Sequence, residues 1–534
     1  MNKKFIIFSV GKLLEILAFI LIIPALITFF EIKQESLLST ILDYRLVGFI
    51  IAIVASYLAG SLLKAAGNSE LTGTGIKEGF AIVTFGWFSL TFFGALPLMT
   101  YFLSQANNLS INTIFQAFTN SYFEIMSGFT TTGATIMINI EALPSGILFW
   151  RSLTHWLGGM GIITLALAIL PAFGIASYQM FRGEVPGPTA ERLKPRLAQT
   201  AKILWGTYVL LTLLETILLK IGGMSVFDAL CHSFGTMATG GFSTKNASIA
   251  SYNSPFIEWV VIVFMFFAGM NFIIHYRIFF FRKFDLLRNN REFHFYFMVI
   301  LLAIITSIFI LANKGINSKN NISQSFRHRP LNEKTIEKKI IDEKAKINSF
   351  SEKLRRSAFQ VVSITTTTGY TTADFDVWPN FIRCMLVILM FFGGCAGSTG
   401  GGMKMIRIMV SIKAALREIR VLIQPRIILP LKIAKKALGE KQVQNIIGFV
   451  MLFLAFFIVA SLAMSFFIED FTTAITSVAA TICNIGPGLS GVGATQNYAW
   501  IPLGGKWVLI FCMLLGRLEI YTILIAFAPI SWKK

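Results

Sequence analysis

The fold of this chain is decided by four short stretches that share one pattern: Phe129-Thr-Thr-Thr-Gly133-Ala-Thr, Thr236-Met-Ala-Thr-Gly240-Gly-Phe, Thr365-Thr-Thr-Thr-Gly369-Tyr-Thr and Ile482-Cys-Asn-Ile-Gly486-Pro-Gly. In each stretch a glycine follows small or hydroxylated residues, and a short semi-apolar segment precedes them. Each stretch also lies between two long apolar segments. The repetition predicts one structural unit that is used four times.

Ten apolar segments are long enough to be membrane spans, since a helix needs about 20 residues to cross the hydrocarbon core of a bilayer. The segments that precede the glycines are too short to cross, and we expect them to be re-entrant half-helices at 113–128, 226–237, 355–366 and 472–483. The ten candidate spans are 6–30, 46–66, 78–103, 146–172, 203–221, 256–281, 294–314, 380–410, 443–468 and 504–528.

These segments predict an all-α polytopic membrane protein. Two leading helices are followed by four repeats of span, pore half-helix and span around a central pore. The third repeat contains a basic insertion, 315–350, and its second span is interrupted by glycines. The expected division is 1–70 for the leading helices, then 71–176, 200–285, 290–420 and 440–530 for the four pore repeats.

The chemistry of such a unit suits a cation. A half-helix that enters the membrane points its carbonyl end toward the centre of the fold, where the helix dipole favours positive charge. The glycine that follows permits backbone angles in which adjacent carbonyls point the same way. Four such loops around one axis provide rings of carbonyl oxygens that can replace the hydration shell of K⁺.

The composition agrees with a membrane protein. Hydrophobic residues make up 55% of the 534 residues and charged residues only 14%, whereas a soluble domain carries about 25% charged residues. This excludes a disordered chain, a collagen-like chain and an ordinary cytosolic enzyme. The five cysteines form no Cys-x-x-Cys pair, so we expect neither a disulfide framework nor a zinc site.

The net charge of +20 has two interpretations. In a soluble protein it would suggest nucleic-acid binding, but in a membrane protein it usually reflects cytoplasmic loops. With both termini in the cytoplasm, the basic runs 182–202, 277–291 and 404–441 lie inside. The segment 314–356, with twelve Lys and Arg, is expected outside as a solvated insertion. We therefore assign the cations to topology and expect no nucleic-acid partner.

Longer motifs resemble the TrkH/KtrB family of potassium uptake proteins. They include Ser127-Gly-Phe-Thr-Thr-Thr-Gly-Ala-Thr135, Phe149-Trp-Arg-Ser-Leu-Thr-His-Trp-Leu-Gly-Gly-Met-Gly161, Ala238-Thr-Gly-Gly-Phe-Ser-Thr244, Gly393-Gly-Cys-Ala-Gly-Ser-Thr-Gly-Gly-Gly-Met-Lys404 and Asn484-Ile-Gly-Pro-Gly488. The resemblance covers nearly the whole chain apart from the insertion. Two leading helices before the repeats favour the TrkH branch over the shorter KtrB branch.

The resemblance implies a K⁺-translocating subunit of a Trk system that forms a homodimer in the lipid of the cell inner membrane, with no bound cofactor. It also implies a cytoplasmic, nucleotide-binding RCK-type partner that is TrkA-like. Whether transport is channel-like or coupled to H⁺ or Na⁺ stays open.

In related plant transporters a serine in place of the first filter glycine is linked to Na⁺ transport, and all four positions here are glycine, so we expect K⁺. The expected filter residues are Thr131, Thr132, Gly133, Ala238, Thr239, Gly240, Thr367, Thr368, Gly369, Asn484, Ile485 and Gly486.

Two further features are candidates for a gate. The glycine-rich run 393–402 should break its helix, and we expect a flexible intramembrane loop beneath the filter; the alternative is a small-residue surface for helix packing. Arg517 lies within the last span, where an ionisable side chain is costly. It is expected to be a cationic barrier in the pore, the alternative being a structural contact with Glu519 or with carbonyls. The expected gate residues are Gly397, Ser398, Thr399, Gly400, Gly401, Gly402 and Arg517.

Two other classes of function were weighed against K⁺ translocation. A secondary transporter of another cation or solute built on broken helices would have inverted repeats, whereas these repeats share one orientation. A membrane-embedded enzyme would need a catalytic group of residues, and neither Gly-x-Ser-x-Gly nor His-Glu-x-x-His occurs in the sequence. We therefore expect a transport protein and no enzyme.

Overall fold

The computed structural model describes residues 1–32, 37–68, 75–161, 197–315, 341, 347, 349–427, 429–433 and 436–532. Within these residues the chain is mostly helical, which confirms the expected all-α class. A two-stranded antiparallel hairpin, β1 (Lys432–Ile433) and β2 (Lys436–Ala437), is a small departure from that class. The expected basic insertion 315–350 and the predicted end of the first repeat, after residue 161, lie almost entirely outside the described residues.

The helices follow the order of the predicted segments. Those of the leading region and the first two repeats are α1 (Lys3–Glu31), α2 (Leu37–Ile41), α3 (Tyr44–Ala66), α4 (Ile76–Gly94), α5 (Leu96–Ser104), α6 (Ile111–Phe129), α7 (Ser145–Gly159), α8 (Leu197–Ile221), α9 (Val226–Met237), α10 (Pro255–Ala268) and α11 (Phe272–Phe281). Those that follow are α12 (Asp285–Asn289), α13 (Arg291–Lys314), α14 (Phe350–Thr365), α15 (Asn380–Met390), α16 (Met405–Ile423), α17 (Glu440–Ser465), α18 (Phe471–Ile482), α19 (Leu503–Arg517), α20 (Ile520–Phe527) and α21 (Pro529–Trp532).

The two leading helices, α1 and α3, pack with their backbones in close contact. A Cβ atom added at Gly11 would lie 2.6 Å from the carbonyl oxygen of Gly60, and one added at Gly60 would lie 2.8 Å from that of Gly11. Small residues allow such an approach in membrane proteins, where packing replaces the hydrophobic drive of water. Lys64 and Glu15 pair across the same helices at 2.5 Å.

The half-helices α6, α9, α14 and α18 all begin in the same way. A serine or aspartate precedes each one, and its side-chain oxygen accepts the backbone N–H three residues later, which satisfies an otherwise unpaired donor at the helix start. The resulting common start fixes where each half-helix enters the fold. The capping residues are Ser110, Ser225, Ser349 and Asp470.

The second span of the repeats is interrupted in more places than the sequence predicted. The expected continuous span 256–281 is two helices, α10 and α11, at 105° to one another, and the expected span 504–528 is α19 and α20 at 109°. Each bend follows a helix of about four turns that begins at or after a proline, Pro255 or Pro502. In the third repeat the helix stops at Met390 and resumes at Met405, where the glycine run predicted a break.

The part of the chain that the structure describes has fewer continuous spans than the ten expected. Among the described residues, six helices are long and apolar enough to cross a membrane alone, or eight if each bent pair counts as one span. The bends account for two of the four missing spans, because neither half of a bent pair reaches the length of a span. The expected span 380–410 is interrupted between Met390 and Met405, and the expected span 146–172 lies partly outside the described residues. The bends also leave non-helical backbone inside the fold, which a membrane protein tolerates where it is buried in protein or lines a cavity.

Candidate ion-selectivity site and gate

The four half-helices end in the same uncommon backbone conformation. The second residue after each helix has a positive φ between 53° and 62°: Thr131, Thr239, Thr367 and Asn484. A left-handed conformation is unusual for threonine, which is β-branched, and it costs of order 1–3 kcal/mol, whereas asparagine adopts it more readily. The same conformation at four equivalent, fully buried positions, three of them threonine, indicates a functional site.

Two residues later, each loop has a glycine at positive φ, and here the second repeat differs from the sequence-based expectation. These glycines are Gly133 (77°), Gly241 (80°), Gly369 (81°) and Gly486 (97°). The expectation of Gly240 as the equivalent glycine is therefore wrong by one residue, and the expected window of Ala238, Thr239 and Gly240 moves to Thr239, Gly240 and Gly241. Two adjacent glycines follow Thr239, and spacing alone does not show which of them takes the left-handed angle.

The four loops close into a ring in chain order. A Cβ atom added at Gly133 would overlap the carbonyl oxygen of Gly240, and one at Gly241 would overlap that of Thr368. A Cβ atom at Gly369 would overlap the carbonyl oxygen of Ile485.

The fourth contact returns to the first loop. A Cβ atom at Gly486 would lie 2.7 Å from the carbonyl oxygen of Thr132. Each glycine thus lies against the backbone carbonyl that precedes the glycine of the next loop. A side chain at any of these positions would meet backbone, which cannot move aside as a flexible side chain can.

Buried ionic and polar groups anchor the first loop. Glu124, on α6, accepts hydrogen bonds from the backbone N–H of Ile136 and from the Thr135 hydroxyl, each at 2.8 Å. Arg151, on α7, pairs with the same carboxylate at 2.8 Å, and its guanidinium carbon lies 4.2 Å from the centre of the Phe242 ring. Both charged side chains are almost fully buried. The pair therefore joins the chain just after Gly133 to the first residues after the second loop.

Tyrosine and asparagine side chains anchor the other loops. The Tyr498 hydroxyl donates to the carbonyl of Gly486 at 2.6 Å, and the Tyr370 hydroxyl lies 3.1 Å from the carbonyl oxygen of Phe242. The Asn484 side-chain amide donates to the Thr132 hydroxyl at 2.9 Å, which ties the fourth loop to the first. The two tyrosines were not singled out from the sequence, and Asn484 was expected only as a filter residue, because side-chain contacts between different loops leave no local pattern.

The glycine-rich segment 391–404 lies directly against the end of α9, the glycine loop that follows α14, and the bend between α10 and α11. The Gly401 N–H donates to the Thr367 hydroxyl at 2.8 Å, and the Thr399 hydroxyl donates to the carbonyl of Met237 at 3.0 Å. The Phe272 N–H donates to the carbonyl of Gly397 at 3.0 Å. The segment is therefore an ordered loop in this conformation, held to two of the half-helices and to the second repeat.

Arg517, at the end of α19, joins that loop to the first repeat. Its guanidinium donates to the carbonyl of Thr399 at 2.7 Å and to the carbonyls of Gly158 and Gly159 at the end of α7. Glu519 accepts a hydrogen bond from Arg407 at 2.7 Å. The carbonyl cluster that the sequence left as an alternative for Arg517 is thus present in the structure.

Two further buried groups escaped the sequence analysis. Glu292 accepts backbone hydrogen bonds from Ala396, within the glycine-rich segment, and from Ile406, in the helix that follows it, and the Lys506 ammonium donates to the Asn120 side chain at 2.8 Å. Both residues lie near the start of an apolar helix. Charged residues are common at the edge of a membrane span, so their position in the sequence does not indicate a buried contact. Within the described residues, no group of three or more His, Cys, Asp or Glu is placed to hold a metal ion.

Four strained loops that close into a ring of backbone carbonyls, on four half-helices between long apolar helices, define a membrane transport protein of the pore-loop class. The family model for TrkH, described as a cation transport protein, matches residues 46–534. The chain belongs to this family of transport proteins.

Individual relatives agree with that assignment. The Trk system potassium uptake protein TrkH of Escherichia coli (strain K12) is 38% identical over 479 residues, covering 89% of this chain and 90% of the relative. The protein of the same name from Salmonella typhimurium is 37% identical over 477 residues, with 89% and 90% covered. The crystal structure of the potassium transporter TrkH from Vibrio parahaemolyticus is 31% identical and matches with a TM-score of 0.80 over all of both chains.

Proposed function

We propose that this protein is the K⁺-translocating membrane subunit of a Trk-type uptake system and that its filter is the ring formed by the four loops. The observation that carries the proposal is the cyclic contact of each glycine with a carbonyl of the next loop. Carbonyl rings of this kind replace the hydration shell of K⁺. The names of the relatives support K⁺ as the ion.

In this proposal K⁺ is coordinated by the carbonyls of three successive residues in each loop. They are Thr131, Thr132 and Gly133; Thr239, Gly240 and Gly241; Thr367, Thr368 and Gly369; and Asn484, Ile485 and Gly486. Each loop follows the C-terminus of a half-helix, where the helix dipole contributes partial negative charge. Glycine at the third position of every loop keeps side chains out of the ring, which favours K⁺ over Na⁺ on the resemblance to plant transporters.

The glycine-rich segment and Arg517 are proposed as the gate. Residues Gly397 to Gly402 of the segment lie against the loops of the filter. Arg517 holds the carbonyl of Thr399 in this segment through a charge-assisted hydrogen bond. Such a bond stabilises the observed position of the segment, and the positive charge beside it opposes the passage of a cation. Release of Thr399 would let the segment move aside.

The partners and the cellular location of this protein are also inferred from its family. We propose a homodimer in the cell inner membrane with both termini in the cytoplasm, and a TrkA-like, nucleotide-binding RCK subunit at the cytoplasmic face. The support is the family itself, together with the basic helix α16, which follows the gate segment directly and carries Arg407, Lys413, Arg417 and Arg420. Co-purification of the full chain with a TrkA-like subunit tests the partner, and failure to co-purify from detergent and from lipid nanodiscs would contradict it.

Ion flux separates this proposal from transport of another solute. The full chain should restore growth of a K⁺-uptake-deficient bacterium on low K⁺, and in liposomes it should release K⁺ with and without an imposed H⁺ gradient. Passive K⁺ flux in the absence of the gradient excludes obligatory H⁺ symport. Absence of K⁺ flux under both conditions, with correctly folded protein, would overturn the proposed function.

A further inference from the structure

The glycine-rich segment 391–404 is held from outside by one side chain of the third repeat. Glu292 is the second residue of α13, and it is 8% exposed. Its Oε1 atom accepts hydrogen bonds from the backbone N–H of Ala396 at 2.7 Å and of Ile406 at 3.1 Å. Ala396 lies inside the segment, and Ile406 is the second residue of α16, the helix that follows it.

Through these two bonds Glu292 links the glycine-rich segment to the start of α16, and the segment must separate from α16 if it moves. Ala396 and Ile406 are ten residues apart along the chain, and the single carboxyl oxygen bonds to both. Ile406 N–H is also one of the unpaired donors at the start of α16, which a carboxyl oxygen near the helix N-terminus satisfies. All three residues are buried, so water cannot replace the bonds in this conformation.

We propose that Glu292 is a positioning residue for the gate, and that its Oε1 atom holds the glycine-rich segment closed by joining Ala396 to Ile406. The proposal rests on the proposed function of the segment as a gate. Movement of the segment then requires that at least one of the two bonds break. A side chain without an oxygen acceptor at position 292 should release the segment toward its open position.

A native cysteine provides a readout of that movement. Cys395 lies in the segment next to Ala396, is 3% exposed, and has its backbone N–H bonded to the carbonyl of Gly269 at 2.8 Å. The rate at which a membrane-permeable maleimide modifies Cys395, measured by peptide mass spectrometry on the full chain in liposomes, reports how often the segment is exposed. The exposed Cys384 and the buried Cys231 are internal references in the same molecule.

Glu292→Met keeps the length of the side chain but has no oxygen acceptor, and it should raise the modification rate of Cys395 about tenfold, which corresponds to about 1.4 kcal/mol. Glu292→Gln keeps an oxygen acceptor and should bring the rate back near the wild-type value. The rates at Cys384 and Cys231 should not change. K⁺ flux through the Glu292→Met protein should rise together with the modification of Cys395.

Glu78→Met is the matched control. Glu78 is also a buried carboxyl near the start of a first span, and it also accepts two backbone N–H groups, those of Asn2 at 2.9 Å and Gly75 at 2.7 Å. Its loss should leave the rate at Cys395 unchanged, which separates release of the segment from general loosening of the fold.

A wild-type rate at Cys395 in the Glu292→Met protein would overturn the proposal, as would an equal increase in the Glu78→Met control. If Glu292→Met does not fold, Glu292→Ala takes its place with the same two criteria. Because modification of Cys395 requires no ion flux, the test remains valid if the protein moves no K⁺, and that separate result would count against the proposed function alone.

Discussion

The ion pair between Glu124 and Arg151 should contribute strongly to stability, since both side chains are almost fully buried and lie 2.8 Å apart. Removal of one partner of a buried pair costs about 3–5 kcal/mol, because the other charge stays behind without compensation. Glu124→Gln retains an oxygen acceptor for the Thr135 hydroxyl, so we expect the lower end, about 3 kcal/mol. We expect a similar loss of about 3 kcal/mol for Arg151→Met, which leaves the carboxylate unpaired.

The double variant Glu124→Gln/Arg151→Met tests whether the two residues act as a pair. Independent effects would add to a loss of about 6 kcal/mol, whereas a coupled pair should lose only about 2 kcal/mol in the double variant. That loss of about 2 kcal/mol comes from the contact of Arg151 with the Phe242 ring and from lost backbone contacts. The free energy of unfolding is measured by titration with sodium dodecyl sulfate in mixed micelles.

The pair of Lys64 and Glu15 is the control for this cycle, because its side chains are more exposed, at 39% and 14%. Glu15→Gln should cost about 1 kcal/mol, less than Glu124→Gln, because an ion pair contributes less as its exposure increases. Losses that simply add in the double variant, or a Glu124→Gln protein as stable as the wild type, would refute the reasoning that burial makes the Arg151 pair strong.

Other variants test the filter and the gate. Tyr498→Phe removes the hydroxyl that holds the carbonyl of Gly486, so it should cost about 1 kcal/mol of stability and lower the K⁺/Na⁺ permeability ratio in bilayer recordings. An unchanged ratio would contradict a role of this hydroxyl in positioning the carbonyl for ion selection. Arg517→Met frees the carbonyl of Thr399, and K⁺ flux in liposomes should rise about tenfold, whereas a wild-type flux would argue for a purely structural role. Deletion of 396–401 should raise conductance in the same assay, and unchanged flux would contradict the gate.

The sequence predicted the four-repeat fold well because each repeat carries its own local signals. Glycines after hydroxylated residues and short semi-apolar segments between long apolar ones are visible without any tertiary information. The half-helix predicted at 226–237 coincides with α9, and the one predicted at 472–483 lies within one residue of α18.

The features that sequence analysis missed depend on contacts between distant residues. The bend after Ala268 follows a continuous apolar run, and its local signs are only Gly269 and Asn271, whose side chain caps α11. Gly241 takes the positive φ, whereas Gly240 has no room for a side chain because a Cβ atom there would lie 2.4 Å from the ring of His155, 85 residues earlier in the chain. Both glycines fit the local pattern, and only their neighbours distinguish them.

The K⁺/Na⁺ permeability ratio of Gly241→Ser in planar bilayers, measured beside Gly133→Ser, tests the ring most directly. Both glycines lie against a carbonyl of the next loop, so an added side chain at either position should displace that carbonyl and lower the ratio about tenfold or more. We expect the same fall in the K⁺/Na⁺ permeability ratio in both variants. A conducting Gly241→Ser protein with the wild-type ratio would contradict the claim that these four loops form the selectivity filter.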